Sequence, residues 1–91
     1  MNSNDYEGRY RPVKSVQILI DSIEKVKAFV NEIAKFNCDF DLISGRYVID
    51  AKSIMGIFSL DISKPIELDI HVDDEAESAD ILNRIKPFLV E

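Results

Sequence analysis

The sequence predicts an α+β domain in which an antiparallel sheet carries its helices on one face, an open-faced sandwich. Three observations point there. Strand-like and helix-like patterns follow one another as strand, helix, strand, strand, apolar run, strand, helix, with no internal repeat or low-complexity segment between them. The two middle strand segments are separated by two residues, one a glycine, which suits a primed hairpin turn and hence antiparallel neighbours. In the last strand Ile66, Leu68, Ile70 and Val72 alternate with Glu67, Asp69 and His71, so one face of the sheet is buried and the other is wet.

Each element follows from its own signals. Residues 1–13 read as an N-terminal arm, because they carry no hydrophobic period and include Gly8 and Pro12; residues 14–91 form the domain. Residues 16–20 are short, β-branched and mostly apolar, as a well-buried strand should be. Asp21-Ser22-Ile23-Glu24 is a helix start with an acid three residues on, able to close a capping box. Ile23, Val26, Phe29, Val30, Ile33 and Ala34 then form an apolar stripe, with Lys25, Lys27, Glu32 and Lys35 towards water and Asn37 as a left-handed stop. Segments 39–43 and 46–50 form the hairpin around Ser44-Gly45. The run from Ser53 to Leu60 contains a glycine and fits either strand or helix by pattern alone. Asp74-Glu75-Ala76-Glu77 opens the last helix, Ala79, Leu82 and Ile85 supply its inner face, and Pro87 ends it.

Composition bounds the function. At 91 residues, 46% hydrophobic and 31% charged, the chain suits one globular core. The net charge of −6 repels a phosphate backbone, and the densest basic spot, Arg9-Tyr10-Arg11 with Lys14, is offset by Asp5 and Glu7, so nucleic acid is not an expected partner. No apolar run is long enough to span a bilayer and the polar start is unlike a signal peptide; the expected location is the cytoplasm, without a membrane role. Cys38 is the only cysteine, which excludes an internal disulfide and a cysteine-based metal site; a small, partly buried side chain is the expectation.

Lys52-Ser53-Ile54-Met55-Gly56-Ile57-Phe58-Ser59-Leu60 is similar to the central segment of the histidine-containing phosphocarrier (HPr) family, the segment with its regulatory serine. Lys35-Phe36-Asn37 and the hairpin Gly45 extend the match, and a weaker similarity in element order runs from about Val16 to the C-terminus. The resemblance implies a four-stranded antiparallel sheet with three helices on one face, in the order βαββαβα, and makes Ser53 the start of a short helix. It also exposes a departure. The family carries its phosphoryl group on a histidine in a glycine-isoleucine-histidine-alanine-arginine-proline stretch at the start of the first helix. Here that place reads Ile20-Asp21-Ser22-Ile23-Glu24-Lys25-Val26, with no histidine, arginine or proline. No residue of this chain inherits the family's active site, and no catalytic residue is assigned.

Each remaining candidate also has a structural role open to it. His71, the only histidine, is expected on the outer face of the last strand and cannot alone build a zinc site. Ser22, Ser53 and Ser59 have no neighbouring base, which argues against a serine hydrolase. Asp73, Asp74, Glu75, Glu77 and Asp80 lack calcium-loop spacing and read as capping plus a solvated face, so no metal or cofactor is expected. Ser53 is either an N-cap or, as the resemblance implies, a regulatory phosphorylation site. Ile54, Met55 and Phe58 are either core or, by the same resemblance, an exposed patch that with Lys52 docks partners; Ile57 and Leu60 are the expected inward pair. The leading expectation is a non-enzymatic regulatory or adaptor protein whose partners are transport-system enzymes, a serine kinase or a regulator. The alternatives are a phosphocarrier with an unrecognised acceptor and an interaction module that has kept only the fold.

Overall fold

A computed structural model describes residues 13–90. The elements run β1 (Val13–Ile18), α1 (Ile23–Ile33), β2 (Asp39–Ser44), β3 (Tyr47–Asp50), α2 (Ile54–Ile57), β4 (Ile66–His71) and α3 (Glu75–Arg84), closed by a 3-10 turn (Lys86–Phe88). The four strands form one sheet in the order β1-β4-β2-β3, every neighbouring pair antiparallel. Ile66, Leu68 and Ile70 point from the central β4 into the core, where they meet Ile18, Phe40, Leu42, Val26, Phe29, Ile33, Ile57, Ile81 and Ile85. The expected α+β open-faced sandwich is the observed architecture.

Local chemistry sets the boundaries. The Ser22 hydroxyl caps α1 by accepting the Lys25 N–H at 3.1 Å, while Asp21 pairs with the Lys25 ammonium, also at 3.1 Å. Asp74 caps α3 through the Ala76 N–H at 3.0 Å. After the 3-10 turn the chain returns to β1: Leu19 N–H donates to Phe88 C=O and Val90 N–H to Gln17 C=O, each at 2.9 Å. Phe88 sets its ring edge-on against Phe29, 5.7 Å between centroids, so the 3-10 turn is anchored in the core.

Several expectations shift by a residue or more. β1 begins at Val13, because β4 is long enough to pair Val13 with His71 and Lys14 with Ile70; of the proposed arm, all but Val13 lies outside the described residues, as does the basic spot at Arg9 and Arg11. The hairpin turn is Gly45-Arg46 and not Ser44-Gly45: Ser44 pairs with Tyr47, and Gly45 takes the first central position at φ 60°, where a side chain would be strained. Asn37 does not adopt the left-handed conformation; α1 instead tightens out of the helix through the Phe36 N–H to Ile33 C=O bond. Ile23 and Ala34 leave the apolar stripe for the surface, and Glu32 lies between Lys35 and Arg84, 3.5 and 3.7 Å away. In α3 the buried positions are Ser78 and Ile81, followed by Ile85 at its C-cap, while Ala79 is exposed and Leu82 only partly buried.

Candidate functional site

The segment after β3 is built as a short, rigid protrusion. Asp50 accepts the Lys52 N–H on its side chain at 2.9 Å and the Ser53 N–H on its carbonyl at 3.0 Å, which turns the chain out of the strand. Ser53 then caps α2, its hydroxyl accepting the Gly56 N–H at 3.2 Å, and Ser59 closes the other end by donating to the Gly56 carbonyl at 2.5 Å. Ile57 is the anchor, fully buried, with Leu60 partly buried behind it. Gly56 is needed because β3 passes so close: a Cβ there would stand 2.7 Å from Ile49 Cγ2. The ambiguous run is therefore a helix capped by Ser53.

With Ile57 pointing in, the other large side chains point out. Met55 is 81% exposed, Phe58 39% and Ile54 36%. Beside them a shallow groove between α1 and α2 is lined by Lys27, Ala28, Val30, Asn31, Ala34 and Ile54, which extends the apolar surface onto α1. The sequence does not show that contribution, because the helical period puts Ala34 on the apolar stripe. The only available signal was the pair of small residues, Ala28 and Ala34, near the helix's apolar edge.

Lys52 stands apart from the other expected docking residues. Its ammonium donates to the Phe36 carbonyl at 2.7 Å and lies 5.6 Å from the centre of the Phe40 ring. This ties the end of α1 to the start of α2, across sixteen residues of sequence, and engages the charge inside the molecule.

His71 occupies the other end of the domain. It pairs with Val13 of β1 and Asp39 of β2, whereas α1 leaves the sheet near the Ile18–Ile66 end, five residues or about 17 Å along β4. It alternates with the buried Ile70 and Val72, so its ring lies on the face away from the helices, where Nε2 is 2.9 Å from Asp41 Oδ2. The imidazole is half-buried against that carboxylate, less solvated than the sequence suggested. Nearby, a depression is lined by Cys38, Asp39, Asp41, Asp50, Asp73 and Glu77; burial and the Glu77 charge raise the Cys38 thiol above its ordinary pKa. Among the described residues no group of three His, Cys, Asp or Glu side chains is placed to hold a metal. No helix among them is long and apolar enough to cross a membrane.

Comparison with known proteins gives a consistent answer. Residues 24–90 match the family model described as the PTS HPr component phosphorylation site. The fold is similar to the crystal structure of HPr-C-His from Thermoanaerobacter tengcongensis, with 30% identity, a TM-score of 0.63, and coverage of 79% of this chain and 89% of that one. It is also similar to a phosphocarrier protein HPr from Bacillus anthracis str. Ames, at 28% identity and a TM-score of 0.62, covering 81% and 94% of the two chains. No curated protein sequence matches.

Proposed function

The chain belongs to the HPr family of the phosphotransferase system, and from that membership we propose that it is a regulatory or adaptor member that carries no phosphoryl group on histidine. It works in the cytoplasm and binds protein partners through Ile54, Met55 and Phe58 of the α2 protrusion, with Lys52 holding that protrusion in place. Ser53 is the position at which a serine kinase regulates the contact.

One observation carries this reading: the single histidine lies at the far end and on the opposite face of the sheet from the start of α1. A histidine carrier needs an imidazole at a helix N-terminus, where unpaired amides hold the incoming phosphate. Here Ser22 occupies the cap, and Asp21 and Glu24 flank it with charges that oppose a dianion. The surface that remains suited to recognition is the α2 patch. Met55 and Phe58 on a helix anchored by Ile57 give an adaptable apolar contact, presented without cost to the core. A phosphate on Ser53 would stand at the first turn of α2 and alter the charge of that contact directly, since Lys52 is already engaged with Phe36.

The deciding experiment is incubation with phosphoenolpyruvate and the general phosphotransferase enzyme, followed by assay for acid-labile label. None is expected. Stoichiometric label that disappears in His71→Ala would overturn the reading and make the protein a rewired carrier.

A further inference from the structure

We propose that two copies of this chain associate through the free edge of β3, extending the two sheets into one. The sheet has two edges, and they differ. Along β1 the C-terminal residues return and cover part of the edge, through the Gln17–Val90 and Leu19–Phe88 backbone bonds and the bridge between Ile18 and Leu89. Among the described residues nothing covers β3. It displays Tyr47 at 67% and Val48 at 63% exposure, between one charge of each sign at Arg46 and Asp50 and without the proline or bulge of a protected edge.

The backbone is set for a symmetric partner. Ser44 and Tyr47 flank a two-residue loop and are the pair that exchanges hydrogen bonds in such a hairpin. Bonding to β2 therefore falls on Tyr47 and Ile49, and the N–H and C=O of Val48 are directed at the open edge. A two-fold axis through Val48 sets it opposite its own copy, so that the two residues exchange both bonds. The same register brings Arg46 opposite the partner's Asp50, and by symmetry Asp50 opposite the partner's Arg46. Arg46 has no ion pair among the described residues, and Asp50 uses only one carboxylate oxygen, on the Lys52 N–H. The edge is thus complementary to itself in charge as well as in hydrogen bonding. A strand of four residues buries little surface, so the association is weak and reversible.

Sedimentation equilibrium of the full chain, from about 10 μM to about 1 mM, tests the proposal. The unaltered protein should show concentration-dependent dimer. Val48→Lys sets two ammonium groups face to face on the axis and should leave monomer; Arg46→Glu opposes Asp50 twice and should raise the dissociation constant at least about tenfold. Neither position is buried, so both variants should fold. Arg46→Glu mixed with Asp50→Lys restores both cross-edge pairs in the heterodimer alone, and that mixture should associate where each variant by itself does not. A wild-type chain that is monomeric throughout, dimer that survives Val48→Lys, or an Arg46→Glu variant that associates normally would each overturn the inference. If Asp50→Lys does not fold, the first two variants decide.

Discussion

Replacing Met55 by aspartate separates a docking surface from a core residue. Full burial of a methionine is worth about 1.5–3 kcal/mol, and with 81% of the side chain exposed only about a fifth of that, roughly 0.3–0.6 kcal/mol, depends on it. Aspartate is a poorer helix former by up to about 0.7 kcal/mol, but the site is in the first turn of α2, where a negative charge recovers about 0.3–1 kcal/mol from the exposed amides. The terms nearly cancel, and the net change should stay within about 0.5 kcal/mol. Two residues along, Ile57→Asp would put an unpaired carboxylate at a fully buried position and cost several kcal/mol, enough to unfold a small domain. In urea, with a slope of about 1 kcal/mol per molar, Met55→Asp should move the midpoint by no more than about 0.5 M, and Ile57→Asp should abolish the transition. Affinity for the general phosphotransferase enzyme, measured in parallel, should fall by about 30-fold or more for Met55→Asp, as for a central apolar anchor. A midpoint lowered by more than about 1 M would mean that Met55 supports the fold, and the reasoning for a docking helix would fail.

Three further outcomes are expected. Lys52→Met keeps the stem but removes the hydrogen bond to Phe36 and the charge beside Phe40, and should cost about 1–2 kcal/mol in the same melts; an unchanged midpoint would show that the link between α1 and α2 carries no energy. Ser53→Ala should lose about 1 kcal/mol with the cap, whereas Ser53→Asp should keep the cap, fold, and change affinity for the same enzyme; equal affinities of Ser53→Asp and wild type would remove the support for regulation there. A side-chain hydrogen bond with Asp69 on the same strand, and the charge of that carboxylate, raise the Glu67 carboxyl above its ordinary pKa, so protonation of Glu67 favours the folded state. Its contribution is fully present below the unfolded pKa and is lost as pH rises through the folded one. Glu67→Gln should therefore raise the melting midpoint at pH 7 and leave it unchanged near pH 3; a lower midpoint at pH 7 would reverse the sign and refute the cause.

What was legible in the sequence was what neighbouring residues decide. The alternation from Ile66 to Val72, the Asp74 cap and the end of the last α-helix before Pro87 need only local rules, and all are found. What failed depended on how elements meet. A 3.6-residue period fixes the spacing of a stripe but not how wide its buried part is, so Ile23 and Ala34 are apolar yet exposed beside the buried Val26, Phe29 and Ile33. In α3 the inner face slipped by one position, from Ala79 to Ser78, because a small serine is tolerated where the helix packs closely. The hairpin moved by one residue because register is set by the glycine's positive φ, and a two-residue gap with glycine allows either placement. The bond from Lys52 to Phe36, across sixteen residues, is likewise a contact that no local pattern encodes.

On the proposed reading, the same division lets this fold be kept without the family's phosphate chemistry. The start of α1 needs a cap, and Ser22 supplies one with a single hydroxyl; neither imidazole nor arginine is required for the helix to form or for Val26, Phe29 and Ile33 to reach the core. Changes at positions 21–25, none of them buried, therefore leave the packing intact. At α2 the requirements run the other way. Ser53 caps, Gly56 admits Ile49, Ile57 anchors and Lys52 ties the segment to α1, so four of the first six residues of the protrusion are constrained by its shape. Ile54 and Met55, with Phe58 just beyond, are the ones free to vary, and they are apolar and face water. Met55 is the one the fold leaves uncovered, and with the partly exposed Ile54 and Phe58 it forms an apolar patch that is an aggregation liability unless something covers it. On the proposed reading the cover is a protein partner, and the serine that starts the helix lies within one turn of Ile54 and Met55 and within two of Phe58, close enough for a phosphate to change those contacts.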